Sequence, residues 1–143
     1  MTAKEYLSQI RYLQIDINRL HSVKDRLISD MCSLQSPAAG EKVQSSPDPD
    51  KMSTIVSRVD SLACCISDLR TQQKELKVQI RSQIYQLDDA RYIDVLYKRH
   101  VELKSWKVIA LEMRYTIRNV QYIHGYALAA FHDKFYEEYD DGQ

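Results

Sequence analysis

Residues 52–87, MSTIVSRVDSLACCISDLRTQQKELKVQIRSQIYQL, carry Met52, Ile55, Val59, Leu62, Ile66, Leu69, Gln73, Leu76, Ile80, Gln83 and Leu87 at alternating steps of three and four. Such steps hold one line of side chains on a single seam of a helix, the a/d spacing of a coiled coil. Residues 3–34 repeat the pattern with Ala3, Tyr6, Ile10, Leu13, Ile17, Leu20, Lys24, Leu27, Met31 and Leu34. Lys24, Gln73 and Gln83 are its polar members. A polar residue on such a seam can fix register or copy number at some cost in stability. For Lys24 and Gln73, tolerance beside a solvated seam fits equally well.

Between the two series lies QSPAAGEKVQSSPDPD, residues 35–50, which holds all three prolines of the chain and Gly40. Its composition and lack of periodicity read as a linker. Helices of the lengths implied would each be about 45–55 Å long and cannot bury their own stripes. The second is therefore expected to fold back along the first as an antiparallel coiled-coil hairpin over residues 1–87. Leu7, Val23, Ile28, Val56 and Val78 flank the seam and widen it. That breadth predicts self-association, two hairpins pairing into a bundle. Cys32 should lie roughly 15 Å along the hairpin from Cys64 and Cys65, too far for a disulfide. Neighbouring cysteines on a helix diverge, so a metal site is not expected either.

Composition agrees with long helices. Three glycines and three prolines in 143 residues are too few for the turns of a many-stranded sandwich or barrel. They also leave no Gly-rich phosphate loop. The expected class is all-α. The longest apolar run, residues 126–131, is far short of the ~20 residues that span a bilayer. The start of the chain lacks a basic region followed by an apolar core, and an odd cysteine count suits a reducing compartment. A cytoplasmic protein without membrane contact is expected.

After Leu87 the seven-residue pattern stops. Asp88 and Asp89 read as a helix start, opening a helix over 90–102 that buries Tyr92, Val95, Leu96 and Tyr97. Ser105 is a second N-cap, followed by a short amphipathic helix, Trp106–Met113, with Trp106, Ile109, Ala110 and Met113 on one face. Arg114 and Tyr115 form a turn, Thr116 a third N-cap, and residues 117–135 a longer helix with Ile117, Val120, Ile123, Ala127 and Leu128 inward. This is the pattern of a helix-turn-helix. Ala110 is small enough for the crossing of the two helices, and Ile109, Met113, Tyr115, Val120 and Ile123 supply contacts around it. Arg118, Asn119, Gln121 and Tyr122 are then displayed outward, residue types that read base edges and reach phosphates in a major groove. His124, one turn beyond, would contact a phosphate or pack between helices.

Charge is distributed to match. The chain balances 20 basic against 20 acidic residues. Residues 90–131, however, hold seven Lys and Arg against three Asp and Glu, a surplus of +4. Residues 132–143, HDKFYEEYDDGQ, are acidic, and 136–143 are expected to be an acidic tail that restrains non-specific DNA binding, contacts a partner or, by default, solubilises the terminus.

The segment SWKVIALEMRYTIRNVQYIHGYAL, within residues 90–131, resembles region four of sigma-70-type factors. With the long N-terminal hairpin, the QSSP phrase and the HGYAL ending, the whole chain resembles the ArpU-type phage and prophage transcriptional regulators. That resemblance implies a DNA-binding module at 88–135 whose helix at 117–131 enters the major groove of double-stranded DNA. It implies base or backbone contacts from Arg118, Asn119, Gln121 and Tyr122, with Thr116 and Arg114 beside them, and a phosphate contact from Lys107. Host RNA polymerase is a further partner in this setting, although nothing matches the promoter-melting region of a full sigma factor. Two departures stand out: Arg114 where many such turns place glycine, and Gly125 inside the reading helix.

No catalytic or metal-binding spacing occurs around His21, His100, His124 or His132, and no nucleophile or nucleotide motif is present. Neither an enzyme nor a cofactor is expected. Two other readings share the same residues: a small DNA-recognition subunit of a phage packaging terminase, and a coiled-coil adaptor that binds RNA polymerase.

Overall fold

The computed structural model describes residues 1–35 and 49–140, so most of the expected linker and the last three residues lie outside the described residues. Every regular element among the described residues is helical: α1 (Ala3–Gln35), α2 (Pro49–Ile84), α3 (Ala90–Leu96), α4 (Trp106–Met113) and α5 (Ile117–Asp140). α3 runs directly into a π-helical turn at Tyr97–Val101. The expected all-α class holds on these residues.

The helix ends follow local chemistry. α1 opens on a capping box: the Glu5 amide donates to Thr2 Oγ1 at 3.2 Å and the Thr2 amide to Glu5 Oε2 at 2.8 Å, satisfying two amides that have no helical partner. α2 begins at Pro49, where a missing N–H costs nothing. It stops at Ile84 rather than continuing to Leu87, which closes a turn by donating to the Ile84 carbonyl at 3.1 Å. Asp89 caps α3 through the Arg91 amide at 2.9 Å. The helix expected over 90–102 is thus α3 plus the π-turn, where the Glu102 amide reaches back to the Tyr97 carbonyl. That wider turn brings His100 and Val101 into the interior.

The chain divides into two compact units, Met1–Leu13 with Gln73–Gln143, and Gln14–Gln72. The division does not fall at residue 87. In the first unit, Leu7, Ile10, Ile80, Ile84, Leu96, Ala127 and Phe131 are fully buried in one cluster. Gln83 is buried among them and accepts from Tyr6 Oη at 2.9 Å, while its own amide donates to Glu138 at 2.7 Å. Gln73, also buried, donates to the Ile10 carbonyl at 3.2 Å. Both are therefore satisfied interior polar groups, not residues tolerated at a wet seam.

Among the described residues of the second unit only Ile17 and Ile66 are buried. Leu20, Lys24, Leu27, Met31, Met52, Ile55, Val59, Leu62 and Leu69 are half-buried, so the seam is legible but partly solvated. Arg70 meets His21 at 2.8 Å across it. Val23 and Val56 are exposed and do not widen the seam as expected. Val78, in the first unit, is also exposed. Cys32, Cys64 and Cys65 are free and exposed.

The C-terminal segment departs most from expectation. α5 does not end at residue 135 but continues to Asp140, with Phe135 and Tyr139 buried. The Tyr139 ring stacks on Tyr6 at 5.0 Å between centroids, and Asp140 pairs with the N-terminal ammonium at 3.2 Å. Residues 136–140 continue the helix, with Tyr139 buried and Tyr136, Glu137 and Glu138 exposed.

Candidate functional site

α4 and α5 are joined by three residues, Arg114, Tyr115 and Thr116. Ser105 Oγ accepts from the Val108 amide at 3.3 Å, and Thr116 Oγ1 accepts from the Asn119 amide at 3.2 Å, so both expected N-caps are formed. Between them Arg114 adopts the left-handed conformation, φ 58° and ψ 39°. The Tyr115 amide then donates to the Ala110 carbonyl at 3.0 Å and the Arg114 amide to Leu111 at 3.4 Å. This pair of bonds is a Schellman closure, which usually has glycine at the left-handed position. Arg114→Gly is accordingly expected to stabilise the fold by about 1 kcal/mol, measured as a higher urea midpoint.

Behind the turn, Ala110 is buried with Val95, Ile109, Val120 and Ile123, and half-buried Tyr92, Trp106 and Met113 close the cluster. The small side chain sits among both helices, as its size suggested. Two residues assigned to this interior are outside it. Ile117 is 45% exposed and Tyr115 is also exposed. Ile117 has the right helical phase for the core, but it opens α5 and has no preceding turn to pack beside it.

All seven residues assigned to DNA contact, Lys107, Arg114, Thr116, Arg118, Asn119, Gln121 and Tyr122, are exposed. At 100° per residue, Arg118 and Tyr122 share the arc opposite the buried face of α5, while Asn119 and Gln121 flank that arc about 160° apart. Arg118 donates to Tyr122 Oη at 3.2 Å and lies over its ring at 5.6 Å, which fixes the guanidinium. Gly125 and Ala129 continue the same arc. A Cβ built on Gly125 meets nothing within 4 Å, so Gly125→Ala is expected to stabilise the protein by about 1 kcal/mol, read from thermal or urea unfolding.

The charge surplus resolves into two populations. Lys98 and Lys104 both bind Glu112 at 2.8 Å, and Lys104 also binds Glu102 at 2.8 Å; these bonds hold the Glu112 carboxyl below its usual range. Arg91 is paired with Asp89. Arg99 stacks on Trp106 at 4.3 Å and donates to the Lys104 carbonyl at 3.0 Å. Lys107, Arg114 and Arg118 have no acidic partner among the described residues, and all three belong to α4, the turn or α5.

Sequence reasoning tested His100 only for catalytic or metal spacing, without expecting its burial, and left His124 between phosphate contact and packing. His124 is buried: its Nε2 lies 2.9 Å from His100 Nε2, and its ring meets Trp106 edge-on at 4.9 Å. His100 also bonds to the Leu7 backbone. If that contact is the N–H of Nδ1, Nε2 of neutral His100 accepts and His124 Nε2–H donates. Burial holds the pair neutral, with His100 lowered to about 3 and His124 to about 4, and nearby Arg99 adds to both shifts. Burial of a histidine within the π-turn leaves no α-helical period in the sequence.

Among the described residues no three His, Cys, Asp or Glu side chains are grouped to hold a metal ion, and no helix is long and apolar enough to cross a membrane. The chain matches no protein-family model, no curated protein and no solved structure.

Proposed function

We propose that the chain is a sequence-specific regulator of transcription that binds double-stranded DNA, acting on phage or prophage genes in the bacterial cytoplasm. α4 and α5 serve as the helix-turn-helix, with α5 in the major groove. The observation that carries this reading is the α4–α5 pair itself: two capped helices, a tight left-handed turn, a small residue at the crossing, and an outer arc bearing Arg118 already fixed by Tyr122. Unpaired Lys107 and Arg114 beside it supply the charge that attracts phosphates.

α1 and α2 act in this reading as an antiparallel coiled-coil hairpin. Tyr6 bonds to Gln83 and Ile10 to Gln73, a pairing that runs in opposite directions along the two helices. The half-covered seam of residues 14–72 suits association with a second copy, giving a dimer that binds a repeated or palindromic site. RNA polymerase is a further partner consistent with this role.

Arg118 supplies the discriminating test. On a site selected from random duplexes, Arg118→Ala is expected to lose discrimination at one base pair, worth roughly 1–3 kcal/mol. An equal loss on every sequence would make Arg118 a phosphate contact and leave specificity without its main residue. Failure to select any sequence would overturn the function.

A further inference from the structure

We infer that Ile117 is a specificity-determining residue that recognises the 5-methyl group of a thymine, an assignment that rests on the DNA-binding role proposed above. Its phase along α5 belongs to the interior: Val120, Ile123, Ala127 and Phe131 occupy the same broad face and are all buried, yet Ile117 is 45% exposed. The difference comes from its place as the first residue of the helix. Side chains on a helix tilt toward its N-terminus, so an opening residue projects ahead of the helix, past the last turn that could cover it.

That is the end of the helix a helix-turn-helix presents to base edges. Thr116 caps it through the Asn119 amide, which fixes the backbone from which Ile117 projects. Arg118 follows directly, and Gln121 lies one turn on and about 40° around the helix. Ile117 therefore brings a branched apolar surface beside two polar residues suited to guanine and adenine, both on the same side of it around the helix. In the major groove, the thymine methyl group is the apolar feature that separates a thymine from a cytosine edge. An isoleucine has no hydrogen bond to offer, and its contribution there is contact with that methyl.

The test uses the full-length protein and its selected duplex. Each thymine is replaced in turn by deoxyuridine, which removes the methyl and leaves base pairing intact, and binding is measured for the native chain, Ile117→Val and Ile117→Ala. At one thymine, the native chain is expected to lose about four-fold, the worth of one buried methyl. Ile117→Val should retain most of that sensitivity, whereas Ile117→Ala should be indifferent to the substitution. Ile117 is 45% exposed, so all three proteins should share the same urea midpoint. If a site is selected but every deoxyuridine change affects the native chain and Ile117→Ala alike, the role of Ile117 is wrong and DNA binding stands. If no duplex is selected, both fall together.

Discussion

Acidification from pH 7 toward pH 4.5 is expected to lower the urea midpoint steadily, beginning near pH 6.5. His100 and His124 are neutral in the folded chain, with pKa values brought down to about 3 and about 4 chiefly by burial, whereas in the unfolded chain each takes a proton near its ordinary value of 6.5. Below that pH the unfolded state binds more protons, so stability falls as pH falls. Each imidazole contributes up to about 1.4 kcal/mol per pH unit below pH 6.5, and the two add for as long as the folded pair stays unprotonated. Arg99 and Arg11 near His100, and Arg99 and Lys4 near His124, oppose any proton the pair would accept. Glu5, Asp89, Glu112 and Asp140 have lowered carboxyl pKa values. Their loss of stability comes at still lower pH, leaving the span from 6.5 to 5 dominated by histidine. His124→Gln can still offer an N–H but does not titrate, and should flatten the profile. A midpoint unchanged between pH 7 and pH 5 would contradict the buried neutral pair.

Phe131→Ala is expected to destabilise the protein by about 3–5 kcal/mol, the cost of deleting a buried ring and leaving a cavity. Phe131 is fully buried, with Phe135 at 4.9 Å, Tyr6 at 6.1 Å and Tyr139 at 6.3 Å between ring centroids. These contacts join the start of α1 to the last two turns of α5. A typical total stability of about 5–15 kcal/mol leaves such a variant marginal. Equilibrium urea unfolding gives the value directly, and a loss below about 1 kcal/mol would mean that these rings are not packed as described.

Much of the architecture was legible because helices write their burial as a period. The alternating threes and fours in residues 3–34 and 52–87 located α1 and α2, and Asp89, Ser105 and Thr116 marked three helix starts by their capping chemistry. Where the reading failed, a stronger local signal hid the period. Ala127, Phe131, Phe135 and Tyr139 recur at steps of four, which would have carried α5 to Asp140, but the carboxylates among residues 132–143 drew the segment into a solvated tail. Ile117 failed for the opposite reason: its phase is right, but phase says nothing about whether another element reaches the end of a helix. The net charge of residues 90–131 was correctly summed but could not show which cations were already paired. Lys98 and Lys104 meet Glu112 only because the fold brings the π-turn and α4 together.

The proposed binding of DNA through α4 and α5 has a direct signature in its salt dependence. Lys107 and Arg114 on each of two copies would neutralise about four phosphates, with Arg118 given to a base. At about 0.9 per phosphate, the logarithm of affinity should fall with the logarithm of salt concentration at a slope of about −3.6. Binding of a selected duplex should therefore weaken about 150-fold between ~50 and ~200 mM salt, and substituting Lys107 by alanine should reduce the slope by about two for the dimer. Absence of binding at ~50 mM salt, or affinity that does not change across that range, would contradict the account.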